Sequence, residues 1–183
     1  MGSGKTTAGR RLAKKIGCVF VDTDDVVREV AGASVREIFE RGGEDLFREY
    51  ESTALQQILR NEAPRIIAAA GGVVLAEKNR EAIEASCAYV VWLQADITAL
   101  VERAALGAHR PLLDGDAHAK LESMSTAREM LYAGLADTRI DTNSLSVKSV
   151  AELVFVGLVA DGVVANDSPA AALDISRLHT GSN

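Results

Sequence analysis

Residues Gly2-Ser3-Gly4-Lys5-Thr6-Thr7 carry the closing half of the pattern GxxxxGK[ST], and few short patterns restrict a fold as tightly. Consecutive backbone N–H groups that run into a helix N-terminus form a concave, partly positive nest for oxyanions, and glycines let the anion come close. Gly2, Ser3, Gly4, Lys5, Thr6 and Thr7 are therefore expected to cradle nucleotide phosphates. Lys5 would reach the β and γ phosphates and the Thr6 hydroxyl would ligate Mg²⁺. The following helix is predicted over Thr7 to Lys15, ended near Gly17. Gly4, Lys5 and Thr6 fill the last three places of the pattern, so the opening glycine and the strand that feeds it are expected upstream of Met1. The local alternative is an ordinary glycine-rich turn ahead of a helix.

Short apolar runs at Cys18-Val19-Phe20-Val21, Arg65-Ile66-Ile67-Ala68-Ala69 and Ala88-Tyr89-Val90-Val91-Trp92-Leu93 alternate with segments of helical spacing. This alternation predicts an α/β fold of the P-loop type, three layers α/β/α around a parallel sheet whose first strand lies outside this sequence. A further strand is expected at Thr138 to Thr142, and a last amphipathic helix from Ser146 to Ala160, with Lys148 and Glu152 on its wetter side. Ligands of such sheets sit beyond the carboxyl ends of the strands. Asp22, Thr23 and Asp24 follow the first run, Gly71 and Gly72 the second, and the third leads toward Arg103 and Arg110.

The 183 residues fit one domain, expected over 1–160, with 48% hydrophobic and 25% charged residues. Gly162, Pro169 and many small residues predict that 161–183 form a loosely ordered extension. A net charge of −6 argues against a nucleic-acid surface, since phosphate backbones are bound by clustered Lys and Arg. The two cysteines, Cys18 and Cys87, have no CxxC spacing and read as reduced thiols. No apolar run reaches membrane-spanning length and no charged segment precedes an apolar one, so a cytoplasmic protein without a membrane or nucleic-acid partner is expected; a monomer is expected as well.

Taken in order, GSGKTTAGRRLA, FVDTD, EIFERGGEDLFREYE, AGGVVLAEKNR, VVWL, RPLLDGD and AREMLYAGLAD resemble the shikimate kinase family of P-loop phosphotransferases. The match spans Met1 to about Ala160. The resemblance implies ATP-dependent phosphorylation of the shikimate 3-hydroxyl, a step toward chorismate and the aromatic amino acids, with ATP and shikimate as small-molecule partners and Mg²⁺ as cofactor. It implies that Arg48 and Arg128 grip the substrate carboxylate, as guanidinium forks do. Asp22 would help hold Mg²⁺, and Asp24 would accept hydrogen bonds from substrate hydroxyls as the candidate general base. An orienting role for Asp24 is also sufficient, because phosphoryl transfer needs positioning and charge neutralisation more than strong base catalysis. Asp25 would cap the next helix.

The family usually has three glycines where this chain has Ala70, Gly71 and Gly72; Gly71 is expected to contact the substrate ring, and Arg80 to be structural. By resemblance Gly107 to Asp116 form a lid that carries Arg110 over the phosphates, with His109 a bystander and Arg103 against adenine. The catalytic groups would thus be Lys5, Asp24 and Arg110. The family commonly has Pro at Met130 and an acidic residue at Gly134, changes expected to be peripheral. Two rivals share the fold: a related small-molecule kinase of the gluconate kinase kind, and a ligand-sensing domain without turnover.

Overall fold

The computed structural model describes residues 2–105 and 116–165. Its elements follow the order α1 (Lys5–Ile16), β1 (Val19–Asp22), α2 (Thr23–Ala31), α3 (Val35–Leu59), β2 (Arg65–Ala68), a 3₁₀ turn (Val73–Leu75), α4 (Glu77–Ala85), β3 (Val91–Gln94), α5 (Ile97–Ala105), α6 (Ala117–Leu135), β4 (Thr138–Asp141) and α7 (Val147–Ala160). Every predicted strand is present. The helix expected from Thr7 begins earlier, at Lys5, because Gly4 takes the left-handed conformation (φ 84°) that starts it. It stops where expected: Gly17 is left-handed and its N–H bonds to the Ala13 carbonyl at 2.8 Å.

The strands pair in parallel as β1 with β2 (Val19 opposite Arg65, Asp22 opposite Ala68) and as β3 with β4 (Val91 opposite Thr138, Gln94 opposite Asp141). These are two separate ladders: β2 and β3 are not hydrogen-bonded to each other. Helices cover both faces. On one side Ala8 and Leu12 of α1 pack with Val150, Val154 and Leu158 of α7 against Ile66, Val91 and Leu93. On the other, Leu55 of α3 packs with Val73 and Val74, and with Leu131, Tyr132 and Leu135 of α6. The alternating strand pleat sends Val91 and Leu93 to the first layer and Trp92 to the second, where its ring lies 5.7 Å from that of Tyr132.

A third cluster, Val27, Ile38, Phe47 and Ala54, fastens α2 to α3 beside the carboxyl end of β1. Within α3 the helical path breaks at Gly42 and Gly43, the latter with φ 67°, and this break aims the second half, with Phe47, Arg48 and Glu51, along the end of the sheet. On α7, Lys148 is exposed, but Glu152 is not on the wet side: it pairs with Lys15 of α1, and the two side chains are only 16% and 12% exposed. Beyond α7, the N–H groups of Val163 and Val164 both bond to the Leu158 carbonyl and Val164 packs on the core, so this first stretch of the predicted extension is held down. Residues 166–183 lie outside the described residues, as do the lid positions 107–115, with His109 and Arg110.

Candidate active site

Gly2 (φ 77°) and Gly4 (φ 84°) are both left-handed, a conformation that L side chains rarely adopt. Gly2 is also confined by space, since a Cβ there would stand 2.8 Å from the Leu100 carbonyl oxygen. Gly4 caps α1 and makes no side-chain hydrogen bond to its first turn, which holds Lys5, Thr6 and Thr7, an arrangement suited to an external anion. Ser3 and Lys5 border the large cavity between the ladders. Across the loop, the Thr6 hydroxyl donates to Asp22 Oδ2 at 2.8 Å, bringing together two oxygen donors sixteen residues apart in sequence.

The local reading of Asp22 and Asp24 needs a correction. The strand ends at Asp22, whose Oδ1 accepts from the Asp24 N–H at 3.1 Å; Asp22 is therefore the cap of α2, not Asp25, and Asp24 lies in the first helical turn rather than in a continued strand. Asp22 does both jobs with different oxygens, Oδ1 on the helix and Oδ2 on Thr6. Thr23, fully buried, clamps the strand ends: its hydroxyl accepts from the Ala70 N–H at 2.8 Å and donates to the Ala68 carbonyl at 3.4 Å.

Arg48 and Arg128 approach the loop after β2 from two helices. The Arg48 guanidinium occupies the space where a Cβ on Gly72 would stand, with Cζ only 2.6 Å from that position. Gly72, more than Gly71, is thus the glycine whose missing side chain the site requires. The Gly71 carbonyl accepts from Tyr132 Oη at 2.6 Å and from Arg128 Nη1 at 3.4 Å, and a Cβ on Gly71 would come within 2.9 Å of that hydroxyl. Ala70 fits: among the described non-glycine residues only Cys87 has positive φ, so the Ala70 methyl meets no backbone strain. Arg80 donates to the Val74 and Leu75 carbonyls at 2.7 and 3.2 Å, which holds the 3₁₀ turn to α4 as expected of a structural residue.

Glu51 joins these groups. It is 1% exposed, its Oε2 accepts from Arg48 Nη1 at 2.8 Å, and its Oε1 is buried without a hydrogen-bond partner. Burial pushes its carboxyl above the ordinary value, the neighbouring Asp24 charge adds to that, and Arg48 and Arg128 pull the other way. One buried carboxylate therefore feels Asp24, Arg48 and Arg128 together. For Arg48, burial acts to lower the pKa, but Glu51 and Glu44 outweigh it and hold the guanidinium charged. Tyr132 is held protonated chiefly by burial, so its hydroxyl remains a donor to Gly71.

Arg103 donates to the Thr142 and Asn143 carbonyls at 2.8 and 3.2 Å and lines a small cavity of about 90 Å³ with Gly2, Ser3 and Gly4. It therefore flanks the phosphate loop. Met130 is 80% exposed and a Cβ on Gly134 would touch nothing, so both departures lie at the periphery. Sequence reasoning assigned no role to Glu51, Thr23 or Tyr132. Only Glu51 left a usable signal, an acid three residues after Arg48 on one helix face. Lys5, Ser3, Gly71, Arg128 and Tyr132 border one common cavity.

The family model described as "Shikimate kinase" matches residues 1–157. Curated relatives include a shikimate kinase from Marinomonas sp., 40% identical over 156 residues, covering 84% of this chain and 85% of that protein. Another, from Francisella tularensis subsp. holarctica, is 33% identical over 165 residues, covering 90% of this chain and 93% of that protein. Among solved structures, the shikimate kinase from Acinetobacter baumannii in complex with shikimate superposes with a TM-score of 0.83 at 31% identity, over 88% of this chain and 89% of that one.

Proposed function

The chain belongs to the shikimate kinase family, and we propose on this footing that it transfers the γ-phosphoryl group of ATP to the 3-hydroxyl of shikimate, giving shikimate 3-phosphate and ADP. The observation that carries the reading is the meeting of Arg48 and Arg128 at one glycine loop: Arg48, paired with buried Glu51, fills the space beside Gly72, and Arg128 donates to the Gly71 carbonyl. Two guanidiniums at one glycine loop suit an acidic substrate, and they would fix its ring by charge-assisted hydrogen bonds. Asp24 accepts from the ring hydroxyls and orients the attacking one. The amides before and within the first turn of α1 hold the β and γ phosphates, with Lys5 as their cation.

The Thr6 and Asp22 oxygens, 2.8 Å apart at the mouth of this loop, are the hard donors that Mg²⁺ takes, so the pair fits that ion, Thr6 directly and Asp22 through water. When bound, Mg²⁺ neutralises phosphate charge. Arg103 would lie against adenine, and Arg110 would reach the transferring group from the lid. Bond formation runs from the substrate hydroxyl oxygen to the γ-phosphorus, while the bond from that phosphorus to the β–γ bridging oxygen breaks. The hydroxyl proton passes to Asp24 or to solvent as charge moves onto ADP.

The reading extends to a monomer, and use of ATP supports a cytoplasmic setting. No described helix is long and apolar enough to cross a membrane. The test is ADP release by the purified protein with ATP, Mg²⁺ and either shikimate or gluconate. Release that requires shikimate supports the reading; equal rates with neither or with gluconate overturn it.

A further inference from the structure

We infer, resting on the shikimate-phosphorylating reading above, that Tyr132 is a positioning residue for the acidic substrate: by holding the Gly71 carbonyl itself, it releases the Arg128 guanidinium from the glycine loop to meet the substrate carboxylate. Arg128 and Tyr132 stand one helical turn apart on α6, so both reach the loop after β2 from the same face. The carbonyls of that loop have different partners. Those of Ala70 and Gly72 accept from the N–H groups of Val73 and Leu75, at 3.2 and 3.0 Å, within the turn itself. The Gly71 carbonyl turns instead to α6, where it accepts from Tyr132 Oη at 2.6 Å and from Arg128 Nη1 at 3.4 Å.

The two bonds are unequal. The phenol bond is short and strong, whereas the guanidinium bond is longer than an ordinary N–H donor makes. Tyr132 is also the fixed partner of the two, because its ring packs on the cluster of Leu55, Val73 and Val74 and lies 5.7 Å from the Trp92 ring. Burial keeps its hydroxyl protonated. Glycine is required at the acceptor, since a Cβ on Gly71 would stand 2.9 Å from Tyr132 Oη and 3.8 Å from Arg128 Nη1. Arg48 is placed differently: Glu51 and Glu44 hold it at 2.8 and 2.7 Å. Among the described residues Arg128 has no ion pair, and its one hydrogen bond is the long one to Gly71, so most of its N–H donors are uncommitted. Without the phenol, the part-buried Gly71 carbonyl would have Arg128 as its only partner and would draw the guanidinium in. A carboxylate would then have to compete with the loop for that cation. With the phenol in place, Arg128 gives up only a long bond when the acid arrives.

Steady-state kinetics on Tyr132→Phe, Arg128→Ala and the double variant is the test. Tyr132→Phe is expected to raise the shikimate KM about fivefold, with kcat and the ATP KM changed less than about twofold. In the Arg128→Ala background the same change is expected to leave the shikimate KM where it is, because the hydroxyl acts through Arg128. Additive effects, or equal rises in both KM values, overturn the inference in favour of a phenol that only supports the fold. A second measurement needs no turnover. Phenylglyoxal, which modifies guanidinium groups, is applied to the parent, and the labelled arginines are identified by peptide mass spectrometry. In the parent Arg128 is expected to react about threefold faster than the ion-paired Arg48, and in Tyr132→Phe to slow to about the Arg48 rate. Equal labelling of the two arginines in the parent overturns the inference whether or not the variant folds. The expected labelling without shikimate-dependent ADP release supports the link from Tyr132 to Arg128 and overturns the proposed reaction instead.

Discussion

Arg48 Nη1 donates to Glu51 Oε2 at 2.8 Å, joining a half-buried guanidinium to a carboxylate that is 1% exposed. The same Arg48 also donates to Glu44 at 2.7 Å, so it is held from two sides on one helix. Glu51 is the more deeply placed anchor, and it also senses Asp24 and Arg128.

Replacing Glu51 by Gln is expected to raise the shikimate KM about fivefold, the size of one weakened hydrogen bond of ~1 kcal/mol, with a smaller change in kcat. Burial raises the Glu51 pKa above 4.5 in the folded chain. A raised folded pKa means that this group favours folding fully below 4.5 and loses that contribution as pH climbs through the raised value. The melting temperature of the parent minus that of Glu51→Gln should therefore grow as pH falls from neutral toward 4.5. A difference that stays flat with pH would count against the burial argument.

Gly72 and Ala70 should behave oppositely. A methyl at Gly72 overlaps the Arg48 guanidinium, so Gly72→Ala is expected to raise the shikimate KM by more than about tenfold by displacing that side chain. Ala70→Gly should alter KM less than about twofold, because the Ala70 backbone is unstrained. Steady-state kinetics on the two variants reads this directly; similar effects from both would refute the assignment.

Thr23→Val keeps the shape of a fully buried side chain but removes the acceptor for the Ala70 N–H. Leaving that donor unpaired costs about 1–3 kcal/mol, which for a chain of this size lowers the melting temperature by several degrees. Thermal unfolding followed by circular dichroism measures it, and an unchanged melting point would mean that the clamp contributes nothing.

Lys5→Ala and Arg110→Ala are expected to lower kcat about 10²-fold or more, as loss of a charge that stabilises the transferring group does, with modest change in the shikimate KM. Arg128→Ala should show the reverse split, chiefly a higher KM, because its guanidinium acts on binding. If kcat of the Lys5 variant matched the parent, the phosphate-loop mechanism would fail.

Much of this site could be read along the chain wherever one residue's chemistry follows from its immediate neighbours. Gly2 and Gly4 announce a loop of positive φ, Gly17 a helix end, and the apolar runs before Asp22 and Gly71 announce strands whose ends carry function. The reading went astray where two elements compete for one side chain. Asp25 is a sound local cap, yet Asp22 caps α2 because the strand stops there and frees its carboxylate for both the helix and Thr6. Glu152 sits on a polar stripe in sequence and nevertheless pairs with Lys15 across a helix contact that no periodicity contains.

The alternation of apolar runs with helical spacing thus determined the fold class by itself, because each element's period is written in its own residues, and the order of motifs singled out the phosphate loop and the two arginines as candidates. Only the packed chain decided that Gly72 makes room for Arg48, that Tyr132 fixes the Gly71 carbonyl and that Glu51 lies where three charges meet. Those facts arise from α3, α6 and the loop after β2 closing on one another, and the volume left between elements is not encoded in any of them alone.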